Sequence, residues 1–268
     1  AASIYQSGNG HRAFRKQYRL FRRLLVSLVS SNAECAFFKF GDGDFYFLRG
    51  EAVGSASPGA RAISKKLSMA ELEPFRSGAQ GCEYMLAELD QANQQRFSLV
   101  FDRSPDFPAE YVYASVASRW LFPAFDGKIG LIGAAEKLDL IRELMSFEKY
   151  RRYLGVKNDF EYVPIPQRFA CDHLEERLTD LEHQLRVSRA SVFLVGVGHL
   201  KSGVLSQLKS FHPAVYLDVG SGIDALAGVI DISRPYFGGW RNFRLPSAAA
   251  YDNIDFLQAK DENIRILK

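Results

Sequence analysis

Apolar residues recur at two different periods along this chain, and the alternation between them predicts its elements. From His11, Phe14, Tyr18, Phe21, Leu25 and Leu28 fall at helical spacing, while Arg12, Arg15, Lys16, Arg19, Arg22 and Arg23 cover the other faces, with no acidic residue before Glu34. This pattern predicts a basic amphipathic helix after a loose terminus at residues 1–10. Residues 37–40 are apolar enough for a buried strand. Residues 63–75 and 81–95 read as helices, the second with Leu86 and Leu89 as core contacts. Residues 97–101 read as a strand, 102–105 as the loop after it, and 109–120 as a helix with Pro123 at its exit. A repeating unit then sets in. Strands are expected at residues 128–132, 160–165, 191–195 and 214–219, with helices at 135–145, 173–187 and 202–211 between them and Gly133 as a tight turn. Strands alternating with helices at this spacing require crossovers, so the expected fold is α/β with a mostly parallel sheet and helices on both faces. Residues 1–34 form a tail and helix in this reading, and 35–268 one domain.

One stretch stands out chemically. Residues 37–50 carry Asp42 and Asp44 two positions apart, set between Gly41 and Gly43 within a run of aromatics. The glycines allow backbone angles and close approaches that a side chain forbids. Two carboxylates converging at a strand's end are costly unless a cation neutralises them. A hard divalent ion, Mn2+ or Mg2+, takes their oxygens and leaves positions open for phosphate. Lys39 and Arg49 add positive charge nearby. The alternative is a plain hairpin turn at Asp-Gly, its carboxylates solvated.

Ligands of parallel α/β sheets bind beyond the carboxyl ends of the strands. Sharing one sheet would gather there the Gly133 turn, residues 196–202, residues 220–224 and the Asp42–Asp44 turn. Gly196, Gly198, His199, Lys201 and Ser202 have the composition of a backbone cradle for phosphate, without a complete Walker or dinucleotide fingerprint. Residues 51–60, rich in Gly, Pro and Ser, read as a loop able to close over a nucleotide. Residues 234–244, from Arg234 onward, join aromatic rings to guanidiniums; they suit stacking on a base or sugar, or else form a loop covering the sheet.

Composition narrows the class. The chain has 268 residues, 47% of them hydrophobic and 24% charged, and a formal net charge of only +3. That is an ordinary globular composition without the global basicity of a nucleic-acid binder, so no nucleic-acid partner is expected. Cys35, Cys82 and Cys171 are odd in number and widely spaced, which argues for a reducing compartment and against a disulfide framework or zinc site. No apolar run approaches the ~20 residues that span a bilayer, and the N-terminus lacks the apolar core of a secretory signal. The expected location is the cytoplasm. The basic helix is expected either to dock on the core with its charges solvated or to attach to the inner face of an anionic membrane, where a lipid-linked acceptor would be found.

The stretch from Phe37 to Gly50 resembles the metal-binding signature of the GT-D type glycosyltransferases, in which a Phe-Gly-Asp-Gly-Glu core follows an aromatic and a basic residue; Asp44 stands here in the place of that Glu. Further segments similar to this family follow in its order: residues 127–141, 161–176, 193–208 and a strand ending in Asp218-Val219-Gly220. The resemblance implies a Rossmann-like domain and a metal-dependent hexosyltransferase of cell-surface glycan biosynthesis. Such an enzyme moves a sugar from a nucleoside diphosphate, most often UDP, to a glycan, glycolipid or glycoprotein acceptor. It assigns Asp42 and Asp44 to the metal. Residues 196–202 and Asp218, Gly220 and Ser221 fall to the donor pocket, with Lys39, Gly41, Gly43 and Arg234 beside them. Where the family commonly continues with His-x-Asp, this chain has Ser221-Gly222-Ile223-Asp224.

For an inverting transfer a general base must deprotonate the acceptor hydroxyl, and Asp224 or Asp218 is the candidate; for a retaining one the leaving phosphate can serve. Residues 216–222 also resemble the first glycine motif of S-adenosylmethionine-dependent methyltransferases, although only 46 residues follow Gly222. A phosphohydrolase reading of the paired aspartates fails because Phe45 and Tyr46 occupy the place of the expected Thr or Val. A non-enzymatic adaptor at the membrane surface is the third alternative.

Overall fold

The computed structural model describes residues 8–51, 67–166, 170–229, 240, 243–245 and 251. Helix α1 (Gly8–Ser30) leads into β1 (Cys35–Phe40), α2 (Asp42–Leu48), α3 (Met69–Gln80), β2 (Tyr84–Ala87), α4 (Gln91–Val100), β3 (Phe107–Pro108), α5 (Glu110–Ala117) and α6 (Leu121–Ala124). The second half runs through β4 (Ile129–Ala134), α7 (Ala135–Ser146), α8 (Glu148–Leu154), β5 (Glu161–Ile165), α9 (Leu174–Leu185), β6 (Val192–Gly196), α10 (Lys201–Val204), α11 (Leu208–Phe211), β7 (Val215–Asp218) and α12 (Gly222–Leu226), with short 3-10 turns at Ala170–His173 and Gly198–Leu200.

The strands of the described residues form one seven-stranded sheet in the order β3-β2-β1-β7-β6-β4-β5, every neighbouring pair parallel. An all-parallel sheet needs cover on both faces, and its strands accordingly read as unbroken apolar runs. All six residues of β1 and of β4 are buried. One face packs Phe37, Leu131, Leu194 and Leu217 against α1, α5, α7 and α12; the other packs Phe38, Phe40, Phe193 and Val195 against α2, α3, α4, α9 and α10. This architecture is consistent with a Rossmann-like fold.

Two assignments of the sequence reading exchange places. Within residues 81–95, Tyr84–Ala87 is a strand held in register by β1, and residues 97–101 fall largely in helix α4, which begins at Gln91. Asp90 caps that helix, its carboxylate accepting from Asn93 N at 2.9 Å; Phe97 and Phe101, four apart, bury on the same side. Gly133 is no turn either: it lies inside β4, paired with Gly196 and Pro164. The expected helix at 202–211 is broken into α10 and α11. The loop at 51–60 falls, beyond Glu51, outside the described residues, as do residues 63–66 of the expected 63–75 helix and, apart from Trp240, Phe243 and Arg244, residues 234–244.

Close helix contact fixes the loop after β6. A Cβ on Gly78 of α3 would stand 2.3 Å from the Ser202 carbonyl oxygen of α10, a backbone group that cannot swing aside. Gly78→Ala is therefore expected to cost about 1–3 kcal/mol, read as a lowered urea midpoint at unchanged slope.

Candidate functional site at the carboxyl end of the sheet

The connection after β1 enters the face covered by α2 and α3, whereas the connection after its neighbour β7 enters the opposite face through α12. Adjacent strands whose connections part in this way leave a crevice between them, the usual ligand site of such sheets. The ends of β1, β6 and β7 meet there, and with them much of the chemistry singled out in the sequence.

The Asp42–Asp44 segment is neither hairpin nor open turn; it is the first turn of α2. Asp44 Oδ2 reaches back to accept from Gly41 N at 2.9 Å, and two carboxylates in a first turn suit the positive end of a helix. The two aspartates then diverge. Asp42 is exposed, its Oδ1 accepting from Gly43 N at 2.8 Å. Asp44 is buried.

Asp44 does not stand alone in the interior. Lys201 Nζ lies 3.0 Å from Asp44 Oδ2 and 2.7 Å from Asp218 Oδ2, and it also donates to the carbonyl of Lys39. An ammonium has three donors, and all three are used. Asp218 is equally committed: its Oδ2 also accepts from Lys39 N at 3.0 Å, and its Oδ1 from Gly220 N at 3.0 Å. By taking Lys39 N, it ends the β1–β7 ladder, whose last backbone pair is Phe37 with Leu217. Burial works against the charged form of Asp44, but the Lys201 ammonium, with His199 adding to it, holds the carboxyl well below its usual range. Burial likewise disfavours a charged Lys201, and Asp218 with Asp44 more than compensate, so its ammonium is kept to higher pH than usual.

His199 lies flat on Phe47, ring centroids 4.7 Å apart at 6°, with Nδ1 3.7 Å from Asp44 Oδ1 and Nε2 buried with no hydrogen-bond partner among the described residues. On the other face of β1, Lys39 Nζ donates to the Tyr113 hydroxyl at 3.1 Å and stands over that ring at 4.7 Å. It would be 3.1 Å from a Cβ on Gly220. Among the described residues it has no carboxylate in ion-pair reach. The Tyr113 hydroxyl donates in turn to Glu88 at 3.3 Å.

The structure thus gathers Lys39, Gly41, Asp42, Gly43, Asp44, Gly196, Gly198, His199, Lys201, Asp218, Gly220 and Ser221 at one end of the sheet, and several change role. Lys201, expected on phosphate, is saturated by protein oxygens. Asp218, expected as a base or in the donor pocket, has both oxygens bonded and is inaccessible. Ser202 is buried between α10 and α3, away from the crevice. Gly196 is small because a Cβ there would meet Ile223 at 2.5 Å and the Gly220 carbonyl at 2.8 Å. Gly198 is exposed, at φ +58°, with no described atom within 4 Å of its Cβ position. Asp224 is paired, its Oδ1 2.5 Å from Lys137 Nζ. Arg234 lies outside the described residues.

The sequence reading missed Tyr113, Glu88 and Lys137. Tyr113 sits in an apolar helix, where a phenol reads as core, and Lys137 follows Glu136 in what reads as a solvated helix start. Neither carries a local signal.

A divalent ion held by both aspartates does not fit this donor set. Asp44 already faces an ammonium, and among the described residues no three His, Cys, Asp or Glu side chains form a metal's ligand group. Asp42 does fit an ion that shares its shell with phosphate oxygens and water, the way magnesium is commonly held. Cys35, Cys82 and Cys171 are free and buried; burial, with Glu83 adding to it, pushes the Cys35 thiol up to about 12, so none has the character of a nucleophile.

Comparison of the chain with models of protein families, with curated proteins and with solved structures finds no match.

Proposed function

We propose that the chain is a hexosyltransferase taking a nucleoside diphosphate sugar, UDP-linked first among the candidates, in the crevice between β1 and β7. The observation that carries this reading is Lys39, an ammonium only 8% exposed that has a phenol beside it and, among the described residues, no carboxylate in ion-pair reach. A buried cation without a counter-charge is costly. A diphosphate entering next to Gly220 supplies the missing charge, and the positive φ of Gly220 and Gly198, +49° and +58°, supports backbone lying close to the ligand.

In this reading Lys39 binds and orients the diphosphate, with its Nζ aimed by Tyr113. Asp42 would hold manganese or magnesium together with the donor; such an ion neutralises charge on the leaving diphosphate. The Lys201, Asp44 and Asp218 cluster keeps the starts of α2 and of the loop after β7 in register and touches no substrate. Asp224, steadied by Lys137, takes the proton of the acceptor hydroxyl if the transfer inverts; if it retains, the leaving diphosphate does so.

The different fates of the two aspartates give the test. In titration calorimetry with UDP and GDP, with and without manganese, Asp42→Ala is expected to lose the metal's enhancement of binding while unfolding at the wild-type temperature. Asp44→Ala is expected to unfold earlier, because it strips Lys201 of a partner. Equal metal dependence in wild type and Asp42→Ala would remove the ion from Asp42.

A further inference from the structure

The outer face of α1 offers a surface that the crevice chemistry leaves unused. Phe21, Leu25 and Val29 bury against the sheet, Tyr18 accepts from Trp120 Nε1 at 2.8 Å, and Tyr111 donates to Gln17 at 3.0 Å. This docking fixes the helix and turns Arg15, Lys16, Arg19, Arg22 and Arg23 outward. None of the five is in an ion pair among the described residues, and Arg22 alone is partly engaged, over the Trp120 ring at 4.5 Å. Between these cations stand Leu20, 55% exposed, and Val26, 42% exposed, two of the five large apolar side chains left open to solvent in the described residues.

We propose that this face of α1 lies on an anionic lipid surface. Cations alone would suit any polyanion. Apolar side chains set among them suit a headgroup layer, where they enter the acyl boundary while the guanidiniums stay with phosphate. The helix crosses nothing, since no helix of the described residues is long and apolar enough to span a membrane. Its placement also connects with the crevice. Phe21 packs on Phe37 of β1 and Phe107 of β3, and Gln17, a turn earlier, meets Tyr111 in the first turn of α5, just beyond the carboxyl end of β3. The amino-terminal half of the helix is therefore level with the end of the sheet where the crevice opens, and a lipid-linked acceptor would be within its neighbourhood. The lipid contact itself does not depend on the nucleotide reading.

The experiment is co-sedimentation of the full chain with phosphatidylcholine vesicles, with and without phosphatidylserine, at low and high salt. The comparison is with Arg15→Gln/Lys16→Gln/Arg19→Gln/Arg23→Gln and with Leu20→Ser/Val26→Ser. Binding is expected only with phosphatidylserine, to fall by roughly a thousandfold in the four-charge variant, and to weaken measurably in the apolar variant. Both variants should unfold at the wild-type temperature, since every altered side chain is exposed. No binding to the anionic vesicles at low salt would overturn the proposal. So would binding that the charge variant retains, or a single-stranded oligonucleotide displacing the vesicles while Leu20→Ser/Val26→Ser binds them as the wild type does.

Discussion

Replacing Lys201 by methionine is expected to destabilise the fold by about 3–5 kcal/mol, a large share of the roughly 5–15 kcal/mol that holds a domain together. The side chain volume is nearly kept, so the loss reports charge. Without the ammonium, Asp44 and Asp218 are two buried carboxylates facing each other across its former place, and the Lys39 carbonyl loses its donor as well. Urea titrations of the two proteins measure the difference directly.

The same cluster fixes a pH signature. Asp44 has its carboxyl held below the ordinary 3.8, so its stabilising contribution is complete above that value and disappears as pH falls through the lower folded value. Lys201 is held above the ordinary 10.5; its contribution is complete below that value and disappears as pH rises through the folded one. Wild-type stability should therefore carry the full contribution across the interval between them. In Lys201→Met the acid limb reverses. Without the ammonium the buried Asp44 carboxylate binds a proton more readily, and the deficit against wild type shrinks as the solution is acidified.

Lys39→Met is expected to act on binding in the opposite sense to its action on stability. Loss of a charge-assisted contact to the diphosphate, worth about 1.5–3 kcal/mol, weakens nucleoside diphosphate binding by roughly ten- to more than a hundredfold. Unfolding, by contrast, should come at the same temperature or a higher one, because a buried ammonium that has no carboxylate in ion-pair reach among the described residues is removed and its repulsion of Lys201 with it. A residue retained at a cost to the fold is the mark of a binding group. Calorimetric titration with UDP and a thermal melt of the same sample read the two effects together.

The β-strands legible in the sequence are β1, β4, β5, β6 and β7, whose apolar or β-branched runs are bounded by turn residues and by helical stretches. The exchange between residues 81–95 and 97–101 has a physical cause. Tyr84–Ala87 is four residues long, too short to show a period, and its identity comes from hydrogen bonds to β1. Phe97 and Phe101 satisfy a helix face and a strand end equally well on paper. The carboxyl end of the sheet was legible as a set of glycine and carboxylate loops, but their charge balance was not. Asp44 and Lys201 belong to different crossovers, and only the parallel pairing of β1, β7 and β6 brings them to 3.0 Å. That contact turns two expected ligand residues into structure. It leaves Lys39 and Asp42, on either side of Gly41, as the groups available to a ligand.

The most direct measurement of the central claim is a calorimetric titration of the wild-type chain with UDP, GDP and S-adenosylmethionine, each with and without manganese. Saturable binding of one nucleoside diphosphate, strengthened by manganese and lost in Lys39→Met, is the expected result. Metal-indifferent binding of S-adenosylmethionine with no response to either nucleotide would contradict it, and would assign the crevice between β1 and β7 to methyl transfer.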